Sequence, residues 1–425
     1  MAIPQIKRIL PFLVLLFLVL PGCAPLNLSP PPEELSTREF QQKHPEYWKK
    51  VQDLLLKTLA GVSQVRELAP PEEIPCRVVT ADWAKEKWGR EYVEENSQEI
   101  ALTDLLWKSL FILPPELNLA DIYTQWPRSY LMAKSAQKLY FVLENFSRLD
   151  GRELRRVLAH EVVHFLQDKH FQTPERATFD GEKAWSALVE GDADFTRTKY
   201  LERIASEPAP VIKPLTPPSA ISVAPQMPLA VARLFRFPYD FGESFISALY
   251  RKGGWSEVNQ AYLHPPKTTE QILHPERCFL DEIPEQVQAL PLDISGWRKA
   301  KVDRLGEYFI RVLLETQLPS SCAGEAAQGW GGDRLTCYET AKGYVFLWQI
   351  AWDSEDEAIQ FHRAFVELLR RKGAQALEPG LWSVQGEYLW EDLKGRQALL
   401  LISKDQALLN YALAHLSKAN EQDLT

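Results

Sequence analysis

Two helical segments constrain this 425-residue chain more than anything else in its sequence. The first opens at Asp150-Gly151 and runs to about Lys169. Its apolar positions Leu154, Val157, Leu158, Val162, Phe165 and Leu166 recur at helical spacing. Embedded in it is His160-Glu161-Val162-Val163-His164. Residues four apart share a helix face, so the two imidazoles can point at one ion. The second segment spans about Gly181 to Ile204 and carries Leu188-Val189-Glu190-Gly191-Asp192-Ala193-Asp194. Packed antiparallel on the first, it can present Glu190 to the same point. Gly191 in a helix interior costs about 1 kcal/mol relative to alanine. Close approach of a neighbouring helix explains that cost, and Ala193 is small for the same reason. Neutral imidazole suits Zn²⁺, which a catalytic site holds with three protein ligands and one open position. The pattern is therefore read as a zinc site of His160, His164 and Glu190, with Glu161 beside it as general base. Asp194, one turn past Glu190, would accept the second N–H of a ligating histidine and fix its tautomer. The plainer alternatives are a solvated helix face carrying two histidines and a Glu190 paired with an arginine such as Arg197.

His-Glu-x-x-His followed on the next helix by Glu-x-x-x-Asp resembles the gluzincin metallopeptidases in their minimal form. The resemblance implies a mostly helical, zincin-like catalytic domain with a small sheet. In such a domain Lys138 to Leu143 would be the edge strand on which an extended peptide is laid. More broadly, the chain looks like a family of exported bacterial proteins. These pair such a core with segments similar to Phe237-Pro238-Tyr239, Thr269 to Pro275 and Gly329-Trp330-Gly331-Gly332-Asp333-Arg334. That likeness covers most of residues 76 to 425. Gluzincins also supply a histidine or tyrosine, downstream of the ligands, that stabilises the oxyanion of the reaction. His274 is taken as the catalytic residue in that role, with Tyr239 second, helix capping being the ordinary role for His274. The resulting expectation is a zinc-dependent hydrolase, a metallopeptidase acting on peptide or protein substrates. The alternative is a non-catalytic envelope lipoprotein that keeps the metal core as a binding or assembly scaffold. Glu161 favours the enzyme, because a purely structural site has no use for a base.

The length suggests two folded domains, and the chain reads as α+β. Lys7 and Arg8 precede an apolar run from Ile9 to Leu20 that is too short to span a hydrocarbon core of roughly 30 Å. Residues 1–22 therefore read as an export signal, and Leu20-Pro21-Gly22-Cys23 resembles a bacterial lipobox with Cys23 as the lipidated residue. The expected localisation is an exported lipoprotein, held by that N-terminal lipid on the outer face of the cell membrane or in the periplasm. Residues 23–75 read as a proline-rich tether and a helix, 76–290 as the catalytic domain and 291–425 as a C-terminal α+β module. In that module the strand and helix runs follow a βαββα order, which suggests a ferredoxin-like arrangement. Four cysteines besides Cys23 fit disulfides in an oxidising compartment. Cys322 with Cys337 is the expected local pair, which leaves Cys76 with Cys278. A net charge of −9 argues against a nucleic-acid partner, whose phosphates need clustered Lys and Arg.

Overall fold

The computed structural model describes residues 33–135, 137–216, 227–290, 292 and 294–422. The expected signal segment 1–22, the candidate lipidation residue Cys23 and the Pro25–Pro32 tether lie outside the described residues, as does part of the proline-rich stretch 207–228. The fold is mixed α+β, with a largely helical N-terminal part and a seven-stranded sheet in the C-terminal part.

The N-terminal part opens with α1 (Glu33–Lys43) and α2 (Pro45–Arg66). In α2, Val51, Leu54, Leu55, Thr58, Leu59 and Val62 form a buried stripe at helical spacing. After β1 (Cys76–Val79), α3 (Ala81–Ala84) continues through a π-helical stretch into α4 (Glu91–Glu95), followed by α5 (Ser97–Ser109) and α6 (Leu119–Gln125). The hairpin of β2 (Met132–Ser135) and β3 (Lys138–Val142) is antiparallel, and β1 pairs parallel to β3 on its other side. The sheet order is thus β1-β3-β2. Lys138 to Leu143, expected at the edge, is central as β3, and the outer strands are β1 and β2. The β1 partner of β3 lies some sixty positions away in sequence, beyond the reach of a local pattern.

A single turn, α7 (Leu143–Phe146), leads to α8 (Gly151–His170), which begins at a full capping box between Asp150 and Glu153. Then come α9 (Phe179–Arg203) and α10 (Leu229–Leu263). Proline ordinarily breaks a helix, yet α10 runs through Pro238 and loses helical geometry only at Gly253 and Gly254. One missing N–H is offset by the buried contacts of Phe237, Phe245 and Ile246 on either side. Two short helices close this part, α11 (Thr269–Leu273), capped by Thr268, and α12 (Pro275–Phe279).

The C-terminal part runs β4 (Arg298–Asp303), α13 (Gly306–Glu315), α14 (Ser320–Ala327), β5 (Trp330–Thr340), β6 (Gly343–Trp352), α15 (Glu355–Arg371), β7 (Gln375–Glu378), β8 (Leu381–Val384), β9 (Glu387–Lys394), β10 (Gln397–Ser403) and α16 (Gln406–Gln422). The strand order is β4-β5-β6-β10-β9-β8-β7, every neighbouring pair antiparallel. Gly329 turns the chain at φ 81°, and Trp330 to Asp333 already belong to β5. The run Leu381 to Trp390 is divided by a turn at Gln385-Gly386. Strands β4 and β7 escaped sequence reading because they are mostly exposed and carry no alternation. Helices α13 and α15 cover one face of the sheet and α16 the other.

One apolar cluster runs without a break from Ile100 in α5 through α9, α10 and α13 to Ile402 in β10. A second joins α2, the small sheet and α8. Helix α9 contributes to both. Cys76, Cys278, Cys322 and Cys337 are all free thiols, so neither expected disulfide is formed. Cys337 is buried in β5 while Cys322 is exposed on α14, and Cys76 and Cys278 pack against different clusters. No helix among the described residues is long and apolar enough to cross a membrane.

Candidate metal centre

Helices α8 and α9 bring His160, His164 and Glu190 together, all three buried. His160 Nε2 lies 3.1 Å from His164 Nε2 and 3.1 Å from Glu190 Oε2, and His164 Nε2 lies 3.8 Å from the same carboxylate oxygen. Tetrahedral coordination at about 2.0–2.1 Å separates neighbouring ligand atoms by about 3.4 Å, and these spacings bracket that value.

The outer nitrogens fix both tautomers. His160 Nδ1 donates to Asp194 Oδ1 at 2.6 Å, as expected of Asp194. His164 Nδ1 donates to Gln167 Oε1 at 2.8 Å. The orientation of that amide is set independently, because its nitrogen donates to the Val189 carbonyl at 2.9 Å and to Asp192 at 3.3 Å, both pure acceptors. With each Nδ1 committed, both Nε2 atoms face the shared point. Sequence reasoning missed Gln167, although it stands three positions after His164 on the same helix, where a side-chain partner is a geometric option.

Asp192 anchors a second network next to the first. It accepts from the buried Arg66 Nε at 2.8 Å, from Tyr262 at 2.8 Å and from Thr196 at 3.1 Å. Arg66 lies over the Trp255 ring, 4.4 Å from its centroid. The chain Arg66–Asp192–Gln167–His164 thereby ties α2 and α10 to a candidate ligand on α8. Arg197, the alternative partner considered for Glu190, pairs instead with Asp194 at 2.7 Å.

Gly191 is required, as its mid-helix position suggested, but the helix it meets is α10. A Cβ at Gly191 would collide with the Gly242 carbonyl, and one at Gly242 would sit 2.9 Å from the Gly191 Cα. The two helices cross backbone to backbone beside Glu190, and this crossing delivers Tyr239 to the site. Its hydroxyl donates to Glu190, and burial raises the phenol well above its ordinary range. His274 lies elsewhere. Its Nε2 is 3.1 Å from Glu307 on α13, and the hydrogen bond with that carboxylate raises its pKa. It ties α11 to the C-terminal part and is absent from the cluster; between the two oxyanion candidates, the helix crossing brings up Tyr239.

Burial lowers the His160 pKa, but the Asp194 and Glu190 carboxylates outweigh it and push the imidazole up to about 10. Burial and the neighbouring His160 charge hold His164 well below its ordinary value. Burial raises Glu190, and it raises Glu161 to about 7. Neither carboxylate oxygen of Glu161 has a hydrogen bond of normal geometry, although the backbone amide of Lys134 on β2 lies near enough to favour its charged form slightly. The site opens to a cleft of about 780 Å³ whose wall includes Glu190, Tyr239, Tyr130 and, from β4 of the C-terminal part, Lys301 and Asp303.

A family model described as a domain of unknown function (DUF8575) matches residues 294–410, the stretch that builds the seven-stranded sheet. It includes neither helix of the metal centre. No curated protein and no solved structure matched the chain.

Proposed function

We propose that the protein is a zinc-dependent peptidase of the gluzincin type, built on a zincin-like core and held at the cell envelope by a lipidated Cys23. The observation that carries this reading is the convergence of two tautomer-locked Nε2 atoms and the Glu190 carboxylate beside an unpartnered, buried Glu161. Among the described residues the cluster has three ligands and no fourth, which fits an open catalytic position better than a closed structural one. When bound, zinc supplies Lewis-acid polarisation of a carbonyl and acidifies water.

The remaining chemistry belongs to the chain. Glu161 takes the proton of the attacking water and passes it to the leaving amine. Its burial keeps it basic near neutral pH in the metal-free protein; a bound dication draws its pKa back down. Tyr239, neutral throughout, supplies a hydrogen bond to the developing oxyanion. The outer strand β2 takes the peptide-binding role first assigned to Lys138–Leu143, since its far side pairs with no strand among the described residues. For the C-terminal module, the position of β10 between β6 and β9 supports a ferredoxin-like reading; α16 on the face opposite α15 departs from it.

The deciding experiment compares wild type with Glu161→Gln for zinc content and for cleavage of casein and a mixed peptide library. Equal zinc with cleavage reduced at least about 100-fold in the variant supports the enzyme. Zinc in both and cleavage by neither favours the scaffold.

A further inference from the structure

Among the described residues, Lys183 on the cleft wall is a cation that no carboxylate contacts. Of the other basic residues on that wall, Lys134 pairs with Asp168, Lys301 lies 2.9 Å from Asp303 and 3.6 Å from Glu99, and Arg176 lies over the Trp185 ring. Lys183 makes no hydrogen bond and no ion pair among the described residues. Its ammonium is held between the rings of Phe179 and Phe235, 5.4 Å from each centroid. Rings of this kind stabilise a cation without satisfying its three donors. Burial lowers its pKa, opposed by the charge of the adjacent Glu182. A desolvated ammonium without a counter-ion favours any ligand that brings a carboxylate.

Its position relates it to the metal centre. Lys183 precedes Glu190 by seven positions on α9, two turns along the same face, which is about 10.5 Å of helix. An extended peptide advances about 3.3 Å per residue, so that interval spans about three residues of substrate. We propose that Lys183 reads a carboxylate on the substrate about three residues from the scissile bond, either the free C-terminus of a short peptide or an acidic side chain at that position. Phe235 and Trp126, whose centroids are 4.1 Å apart on the cleft wall, give the intervening residues an apolar surface.

This inference rests on the peptidase reading for its chemistry but can be tested without turnover. The probe is an N-acetylated alanine–leucine pentapeptide in three forms: free C-terminal acid, C-terminal amide, and amide with Asp as the final residue. Binding to the zinc-loaded, full-length Glu161→Gln protein is followed by tryptophan fluorescence, with and without Lys183→Met. The expected result is about tenfold tighter binding of a carboxylate form than of the plain amide, the preference vanishing in Lys183→Met. Tight binding of the free acid alone identifies a terminal carboxylate; equal binding of the Asp amide identifies a side chain. Equal affinity for all three peptides, no binding of any, or a preference unchanged in Lys183→Met overturns the inference. The same peptides are then offered to the wild type. Carboxylate-selective binding without cleavage would remove the peptidase reading and leave the subsite in place.

Discussion

His160 holds a proton at the point where a ligand must hold a lone pair. In the metal-free site, the Asp194 and Glu190 carboxylates raise its pKa to about 10, so it is an imidazolium at neutral pH. Ligation needs the neutral ring. Zinc binding between pH about 7 and about 10 is therefore expected to release a proton, and above pH about 10 this release disappears. Calorimetric titration in buffers of different ionisation enthalpy measures it; pH-independent zinc affinity would contradict it. Gln167 is the other sensitive position. Gln167→Leu leaves His164 without its Nδ1 acceptor and is expected to weaken zinc binding by about 10–100-fold, read by competition with a chromophoric chelator. The residues readable from sequence were those fixed by helix arithmetic: His160, Glu161 and His164 within one turn, Asp194 one turn from Glu190. The same arithmetic covers Gln167. Ranking His274 above Tyr239 had no such arithmetic behind it, because which of them reaches the centre depends on how α10 crosses α9.

That crossing is the element on which the centre depends. Gly191 and Gly242 touch backbone to backbone, so Gly191→Ala forces the helices apart at the residue next to Glu190. A loss of about 1–3 kcal/mol in stability is expected, with weaker zinc binding, checked by thermal melts with and without zinc. An unchanged melt and unchanged zinc affinity would show that the contact is dispensable. Helix existence was legible in α2, α8, α9, α13 and α15, whose apolar periods and caps are local. Helix continuity in α10 was not, since proline signals a break and only long-range packing overrides it. The central place of β3 was hidden for the same reason. The Arg66–Asp192 pair joins elements from both ends of this region and both side chains are fully buried. Asp192→Ala leaves Arg66 uncompensated and is expected to cost about 3–5 kcal/mol, measured by denaturant unfolding.

Across the whole molecule, one apolar cluster crosses from the metal-site helix α9 into the sheet. Buried polar ties reinforce it: Asp180 at the start of α9 accepts from Thr269 at 2.7 Å and from Arg304 at 2.9 Å. A change of character near Leu292 was visible in the sequence, but the packing across it was not, because shared burial leaves no mark on either side's local pattern. Calorimetry is expected to give a single cooperative transition for the full chain, and two well-separated transitions would contradict the shared core. The central claim, that α8 and α9 hold one zinc through His160, His164 and Glu190, is tested most directly by zinc-edge X-ray absorption on the zinc-loaded protein. One zinc per chain with two imidazoles and further light-atom ligands at about 2.0–2.1 Å, lost in His164→Ala and in Glu190→Ala, is the expected result. A folded wild type that binds no zinc, or a spectrum dominated by sulfur at about 2.3 Å, would contradict it.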